Sequence, residues 1–197
     1  MLAFALILTA SMVASTVVMC RGTPASSFGL RYEPVIVSGE YWRLCASPLV
    51  HDDPFHLMLN VVLIWIIAPP AEHAAEWAVF LNAAFVLTSG AIFLSLAFGR
   101  LVRVVRPASL LSHPCGFSAL LVGLLTDAAL RAEAGKMWGG IPITSTPFAF
   151  LILTQMLLRN KSLLHHIFGV VMVRFCFVFF HLDSMTEYFT NLMLLYI

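Results

Sequence analysis

Long apolar stretches separated by short polar segments follow one another along the whole chain. A bilayer core takes roughly 20 helical residues to cross, and backbone groups in lipid must be hydrogen-bonded within the helix itself. The pattern therefore predicts an all-α, polytopic membrane protein with six transmembrane helices. The predicted spans cover residues 2–19, from about 55 to just before the Pro69–Pro70 pair, 78–98, 115–130, 147–158 and 162–180. A long first loop covers residues 20–54, and a glycine-rich link joins the fourth span to the fifth.

Composition supports this interpretation. The 197 residues are 60% hydrophobic and 11% charged, with a mean hydropathy of +0.93, whereas soluble domains carry about 25% charged residues. A net charge of +1 without a basic stripe excludes a nucleic-acid partner. The four cysteines are widely spaced and form no zinc-binding pattern. No positive residue precedes the first apolar stretch, so we interpret it as a span rather than a cleaved signal.

Three even-numbered spans carry polar residues near their starts. They are His56 and Asn60 in span two, Ser118 in span four, and His165 and His166 in span six. Even-numbered spans run in the same direction, so their starts share one membrane face. Polar groups inside membrane helices are energetically costly and mark candidate functional sites. We therefore expect these five side chains to lie near one plane, a short way below one surface.

This set of side chains contains what acyl transfer requires. A serine hydroxyl is a weak nucleophile that needs a nearby base, and histidine suits that role because its pKa lies near neutrality. Asn60 and His56 can donate hydrogen bonds to the oxyanion that forms on a scissile carbonyl. No Asp or Glu lies at the depth of Ser118 in spans four or six. A Ser–His dyad is therefore favoured over a full triad.

Other interpretations stay open at this point. Each polar residue taken alone also fits a structural role, such as helix–helix packing or a satisfied interfacial histidine. Four imidazoles, at His51, His56, His165 and His166, suggest a zinc site, but the HExxH pattern is absent. An unrelated channel or transporter is a further possibility. We predict no metal and no cofactor.

In order along the chain, the motifs resemble those of the rhomboids, a family of intramembrane serine proteases. The matching segments are Trp42-Arg43, His51 with His56 and Asn60 as H-x4-H-x3-N, Glu72, Gly116-Phe117-Ser118, and His166 with Gly169 as H-x-x-G. The finer resemblance is to the small eukaryotic rhomboids of the endoplasmic reticulum. It rests on Ser47-Pro48-Leu49, His51-Asp52-Asp53, His56-Leu57 and Cys115-Gly116-Phe117-Ser118.

The resemblance implies a six-helix bundle over residues 1–180 with a water-filled cavity, followed by a tail, residues 181–197, of unknown role. It implies that Ser118 attacks, that His166 is the base, and that His56, Asn60 and the backbone N–H of Ser118 form the oxyanion hole. Trp42 and Arg43 would brace the first loop. The expected partners are the lipid bilayer and the transmembrane helices of other proteins, which are the substrates. The expected location is the endoplasmic reticulum or another endomembrane.

Three positions depart from the family pattern. Ala119 stands where most rhomboids have a second glycine after the serine, and His165 stands where a small Gly or Ala usually precedes the base. Val173 replaces a small residue on span six. Larger groups there are expected to push spans four and six apart, which leaves open an inactive homologue that binds membrane clients for trafficking or degradation. His165 is an alternative base, although the spacing to Gly169 favours His166. The resemblance implies a lumenal active face, whereas the arginines of the loops on that face favour the reverse orientation.

Overall fold

The computed structural model describes residues 3–21, 24–51, 53–74, 77–105, 116–131, 135, 137–138, 140–157 and 163–180. These residues are mostly helical. The α-helices are α1 (Ala3–Cys20), α2 (Arg43–Leu49), α3 (Pro54–Ala74), α4 (Trp77–Val105), α5 (Ser118–Arg131), α6 (Thr146–Leu157) and α7 (Leu163–Phe180). Each of the six predicted spans corresponds to one of these helices, and α2 is additional. The predicted tail at 181–197, the turn at 159–161 and Cys115 lie outside the described residues.

Two regions that were predicted as irregular carry regular structure. The first loop contains a 3-10 turn, Ala25–Phe28, a π-helical turn, Glu33–Val37, and α2. The glycine-rich link forms a two-stranded antiparallel ladder, in which β1 (Met137–Trp138) pairs with β2 (Ile141–Pro142). These elements are too short to have the hydrophobic periodicity that identified the spans.

The predicted end of span two was wrong. Helix α3 continues through Pro69 and Pro70 to Ala74. A proline removes one backbone donor and crowds the preceding turn. Prolines are nevertheless tolerated inside membrane helices, where local adjustments and neighbouring groups satisfy the freed carbonyls. A Pro–Pro pair is therefore a weaker stop signal in an apolar helix than in a soluble one.

Helix α5 lies at the centre of the fold and packs on α7, α6, α4 and α3. Its buried core residues include Leu121, Val122 and Leu125. The outer faces of other helices carry large apolar side chains that are exposed, such as Phe85 at 72% and Met156 at 71%. A helical protein with a packed core and an apolar outer surface suits a lipid environment.

Within the described residues, one helical stretch is by itself long and apolar enough to cross a membrane, Ala84–Val102 in α4. Helix α2 and the first part of α3, which meet at an 86° bend, would make a second span if counted together. The other apolar stretches are shorter: Ala5–Val17, Ser118–Asp127, Ile143–Leu157 and Leu163–Cys176. The count of six membrane crossings therefore stays a prediction.

Candidate active site

The first turn of α5 and the first turn of α7 bring a serine and a histidine together. Nε2 of His166 lies 2.7 Å from Oγ of Ser118, which is hydrogen-bond distance. Both residues are buried, with 1% of Ser118 and 2% of His166 exposed. The expectation that larger residues would push the two helices apart is therefore wrong at the point where Ser118 and His166 meet.

A close approach between the two helix backbones sets this distance. Gly169, one turn after His166, lies directly on the backbone of Ala119. A Cβ at position 169 would lie 2.9 Å from the carbonyl carbon of Ala119, closer than real Cβ atoms come to other heavy atoms. A glycine at this position is what allows α7 to reach α5.

Gly116 shapes the turn that leads into Ser118. Its φ of +96° is in the region that favours glycine. A Cβ there would lie 2.8 Å from Cε1 of His56 and 2.9 Å from Nε2 of His51. The backbone N–H of Gly116 donates to the carbonyl of Ser47 at 2.8 Å, which ties α2 to the start of α5. Gly116 is therefore in close contact with the first loop, through Ser47, and with the imidazoles of His51 and His56.

His56 and Asn60 lie on α3, and the start of that helix fixes their position. Pro54 is the first residue of α3, a position that proline favours. The Asp53 carboxylate accepts hydrogen bonds from the backbone N–H groups of Phe55 (2.7 Å) and His56 (3.3 Å), as a helix N-cap does. The cap places His56 in the first turn and Asn60 one turn later.

The two side chains predicted to stabilise the oxyanion, His56 and Asn60, have different neighbours. The ring of His56 is 6.4 Å from that of His166, and the ring of His51 is 5.1 Å from that of His56. The side-chain amide Nδ2 of Asn60 donates to the carbonyl of His56 at 2.7 Å. One of its two N–H groups is thereby used within α3, and the residue is fully buried.

His165 points to a different helix. Its Nδ1 lies 2.9 Å from Oγ of Ser95 on α4. The histidine that contacts Ser118 is therefore His166, as the spacing to Gly169 predicted. Nothing in the sequence marked Ser95 as a partner, since α4 also contains Thr88 and Ser89.

The family model of the Rhomboid domain matches residues 38–183, well over half of the 197-residue chain. The chain belongs to the rhomboid family. Members of this family are generally serine proteases that act on membrane protein substrates within the bilayer, so this rhomboid is a membrane protein. No curated protein and no solved structure matches the chain.

Trp42 and Arg43 of this rhomboid join α2 to the 3-10 turn of the first loop. The Arg43 guanidinium donates to the Glu40 carboxylate at 2.7 Å, to the carbonyl of Gly29 at 3.2 Å and to the carbonyl of Ser27. It also lies 4.8 Å from the Trp42 ring centroid. The Trp42 ring packs edge-on against the Phe28 ring at 5.6 Å. These contacts hold the loop that carries Ser47.

Among the described residues, no carboxylate is hydrogen-bonded to His166, as the acid of a catalytic triad would be. Among those residues, Nδ1 of His166 has no hydrogen-bond partner. The buried acid on α5, Asp127, follows Ser118 by nine residues, about 13 Å along the helix axis. Within the described residues, no group of three or more His, Cys, Asp or Glu side chains is arranged to hold a metal ion.

Proposed function

We propose that this rhomboid is an intramembrane serine endopeptidase that cleaves transmembrane helices of other proteins with a Ser118–His166 dyad. The observation that carries the proposal is the 2.7 Å separation of Ser118 Oγ and His166 Nε2. A base within about 2.6–3.2 Å of a hydroxyl can take its proton as the hydroxyl attacks a carbonyl. The absence of a partner at Nδ1 among the described residues favours a dyad over a triad.

The proposed reaction uses Ser118 as the nucleophile and His166 as the base. Nε2 of His166 accepts the proton of Ser118 Oγ while Oγ attacks the scissile carbonyl, and the resulting oxyanion is stabilised by hydrogen-bond donors. We assign this role to the side chains of His56 and Asn60 and to the backbone N–H of Ser118. The protonated His166 then donates its proton to the leaving amine. Water then takes the place of the amine: His166 accepts a proton from it as its oxygen attacks the acyl carbon, and returns that proton to Ser118 Oγ as the acyl–serine bond breaks.

The proposed setting is a six-helix membrane domain formed by residues 1–180, in the endoplasmic reticulum or another endomembrane. The exposed apolar surface and the four shorter apolar helices support a protein that is embedded in lipid along its outer faces. A peptide bond inside a helix is hydrogen-bonded and shielded. The substrate helix must therefore unwind near the cut, which favours substrates with helix-breaking residues and small side chains there.

The test is cleavage of a fluorescent transmembrane substrate by the full-length protein in detergent. Ser118→Ala and His166→Ala are each expected to reduce cleavage below detection, because the two residues act as a unit. The matched control is Ser89→Ala on α4, where the serine hydroxyl donates to the carbonyl of Phe85 in its own helix. Cleavage that persists in Ser118→Ala would refute the assignment of the nucleophile.

A second candidate function is a homologue that binds membrane clients without cutting them. The observation that favours it is the burial of the pair, since only 1% of Ser118 and 2% of His166 are exposed to an entering substrate. Labelling by a fluorophosphonate distinguishes the two, since this reagent reacts only with an activated serine. Labelling that disappears in Ser118→Ala supports the protease, and an unlabelled but folded protein supports the binding function.

A further inference from the structure

Two consecutive histidines at the start of α7 face two different helices. The imidazole of His166 meets Ser118 on α5, whereas Nδ1 of His165 lies 2.9 Å from Oγ of Ser95 on α4. Neighbouring residues of an α-helix point about 100° apart around the helix axis. The directions of the two imidazoles are therefore linked, because both depend on how α7 is rotated about its own axis.

The bond between Ser95 and His165 differs from the contacts of other hydroxyls in the helices. The hydroxyls of Ser89, Thr126 and Thr154 each donate to a carbonyl of their own helix, four residues earlier. The Ser95 hydroxyl instead contacts a side chain on another helix. His165 is buried, and a buried polar group is costly without a partner, so breaking this bond is unfavourable. The bond therefore joins α4 to α7 in one orientation.

Two other contacts between α4 and α7 constrain the rotation less. A Cβ at Gly90 would lie 2.9 Å from Cγ of Met172, so the methionine side chain lies over this glycine. The rings of Phe98 and Phe168 are 5.8 Å apart and are tilted by 60°. Methionine is flexible and apolar contact is non-directional, whereas a hydrogen bond needs its donor and acceptor aligned. Among these three contacts, the serine–histidine bond is the directional one.

A small rotation of α7 is enough to separate the candidate dyad. Side-chain ends lie about 5–6 Å from a helix axis, so a rotation of about 10° moves them by about 1 Å. That shift can carry Nε2 of His166 out of hydrogen-bond range of Ser118 Oγ, which is 2.7 Å away. A misplacement of about 1 Å in a catalytic group can reduce a rate by about 100-fold.

We propose that His165 and Ser95 are positioning residues of this rhomboid. Their hydrogen bond fixes the rotation of α7 and so keeps the imidazole of His166 directed at Ser118. The inference rests on the proposed protease function and adds to it the two residues that orient the base. It also gives a role to a departure from the family pattern, since a Gly or Ala at position 165 could not reach Ser95.

The experiment uses the full-length protein in detergent and measures the rate of fluorophosphonate labelling at Ser118, together with kcat and KM for a transmembrane substrate. His165→Leu removes the bond at similar volume, and Ser95→Ala removes it from the other side. Each is expected to lower the labelling rate and kcat by about tenfold at constant KM, since the base is displaced by a fraction of an ångström. The matched control is Ser89→Ala, which removes a hydroxyl bonded within α4 and should change none of these values.

A conservative variant separates positioning from a general structural role. The side-chain amide in His165→Asn takes the place of Nδ1, so it can still bond to Ser95 and should keep kcat close to the wild-type value. In the Ser95→Ala background, His165→Leu should cause little further loss, because both changes remove one bond.

The outcomes also separate this inference from the proposed function. Unchanged labelling and kcat in Ser95→Ala would overturn the inference alone, and so would equal losses in His165→Leu and His165→Asn. A rise in KM at constant kcat would overturn it as well, because it would place the two residues in substrate binding. A wild-type protein that is neither labelled nor active would overturn the protease function, and the inference with it.

Discussion

Replacing Gly169 by alanine tests whether the contact between α5 and α7 sets the Ser118–His166 distance. The new Cβ would lie 2.9 Å from the carbonyl carbon and 3.2 Å from the Cα of Ala119, and closer still to the carbonyl oxygen. These are backbone atoms in the middle of a packed interface, so they cannot turn aside as the end of a side chain can. The helices must move apart instead.

The size of the movement follows from these distances. Carbon atoms in ordinary contact are about 3.5–4.0 Å apart, so α7 must withdraw by about 1 Å. The 2.7 Å separation of Ser118 Oγ and His166 Nε2 would then exceed hydrogen-bond range. A misplacement of about 1 Å in a catalytic group can reduce the rate by about 100-fold. Overpacking of this kind also destabilises a protein by about 1–3 kcal/mol.

Two other glycines provide controls for the same substitution. A Cβ at Gly123 would make ordinary contacts of 3.4 Å with the carbonyl oxygen of Gly169 and with Cγ2 of Val173. Gly123→Ala is therefore expected to keep both activity and stability, since alanine is the better helix former by about 1 kcal/mol. At Gly90 the nearest atoms belong to the end of the Met172 side chain, which can turn away, so an intermediate effect is expected.

The assay combines fluorophosphonate labelling of Ser118, cleavage of a transmembrane substrate, and thermal unfolding in detergent. We expect labelling and cleavage to fall by about 100-fold in Gly169→Ala, with a lower Tm, and to be unchanged in Gly123→Ala. If folded Gly169→Ala is labelled and cleaves at the wild-type rate, the close approach of the two backbones does not control the pair, and the reasoning is wrong.

Two further predictions concern the loop and turn that support the site. Gly116→Ala should abolish labelling and lower Tm, because its φ of +96° is strained for alanine and the new Cβ would meet His56. Gly39→Ala is the control: at φ +75° with open space around it, it should cost only about 1–2 kcal/mol of stability. Comparable decreases in Tm and labelling in the two variants would contradict this prediction. Arg43→Lys should lower Tm more than Glu40→Gln. A lysine cannot reach all three acceptors of the Arg43 guanidinium, whereas Glu40→Gln leaves the hydrogen bonds from Arg43 to the carbonyls of Ser27 and Gly29 in place. The reverse order in thermal unfolding would show that the ion pair, rather than the carbonyl contacts, holds the loop.

The convergence of Ser118 and His166 could be predicted from the sequence because it depends on a simple geometric rule. Alternate spans of a membrane bundle run in the same direction, so residues at their starts share a depth. The position of each start was visible from the apolar pattern, and polar residues in apolar helices are few enough to be compared. The apolar pattern did not show how each helix is rotated about its own axis. The resemblance to the family motifs indicated that the side chains of Ser118 and His166 face each other.

The supporting contacts could not be predicted in the same way. The N–H of Gly116 donates to a backbone carbonyl at Ser47, and every residue has such a carbonyl, so no residue type marks it. The bond between His165 and Ser95 joins residues 70 positions apart and depends on how α7 is rotated against α4. The Asp53 cap was the exception, since an aspartate directly before a proline and an apolar run is a readable helix start.

The departures from the family pattern at positions 119 and 173 show why that comparison misjudged the contact between α5 and α7. Gly169 meets backbone atoms of Ala119, so a glycine is required at position 169 and the side chain at position 119 does not limit the approach. Ala119 instead lines a small cavity together with Thr88 and Phe117. The bulk of Val173 is matched by Gly123 on the facing helix. The methyl group at position 119 therefore leaves the distance between Ser118 Oγ and His166 Nε2 short, at 2.7 Å.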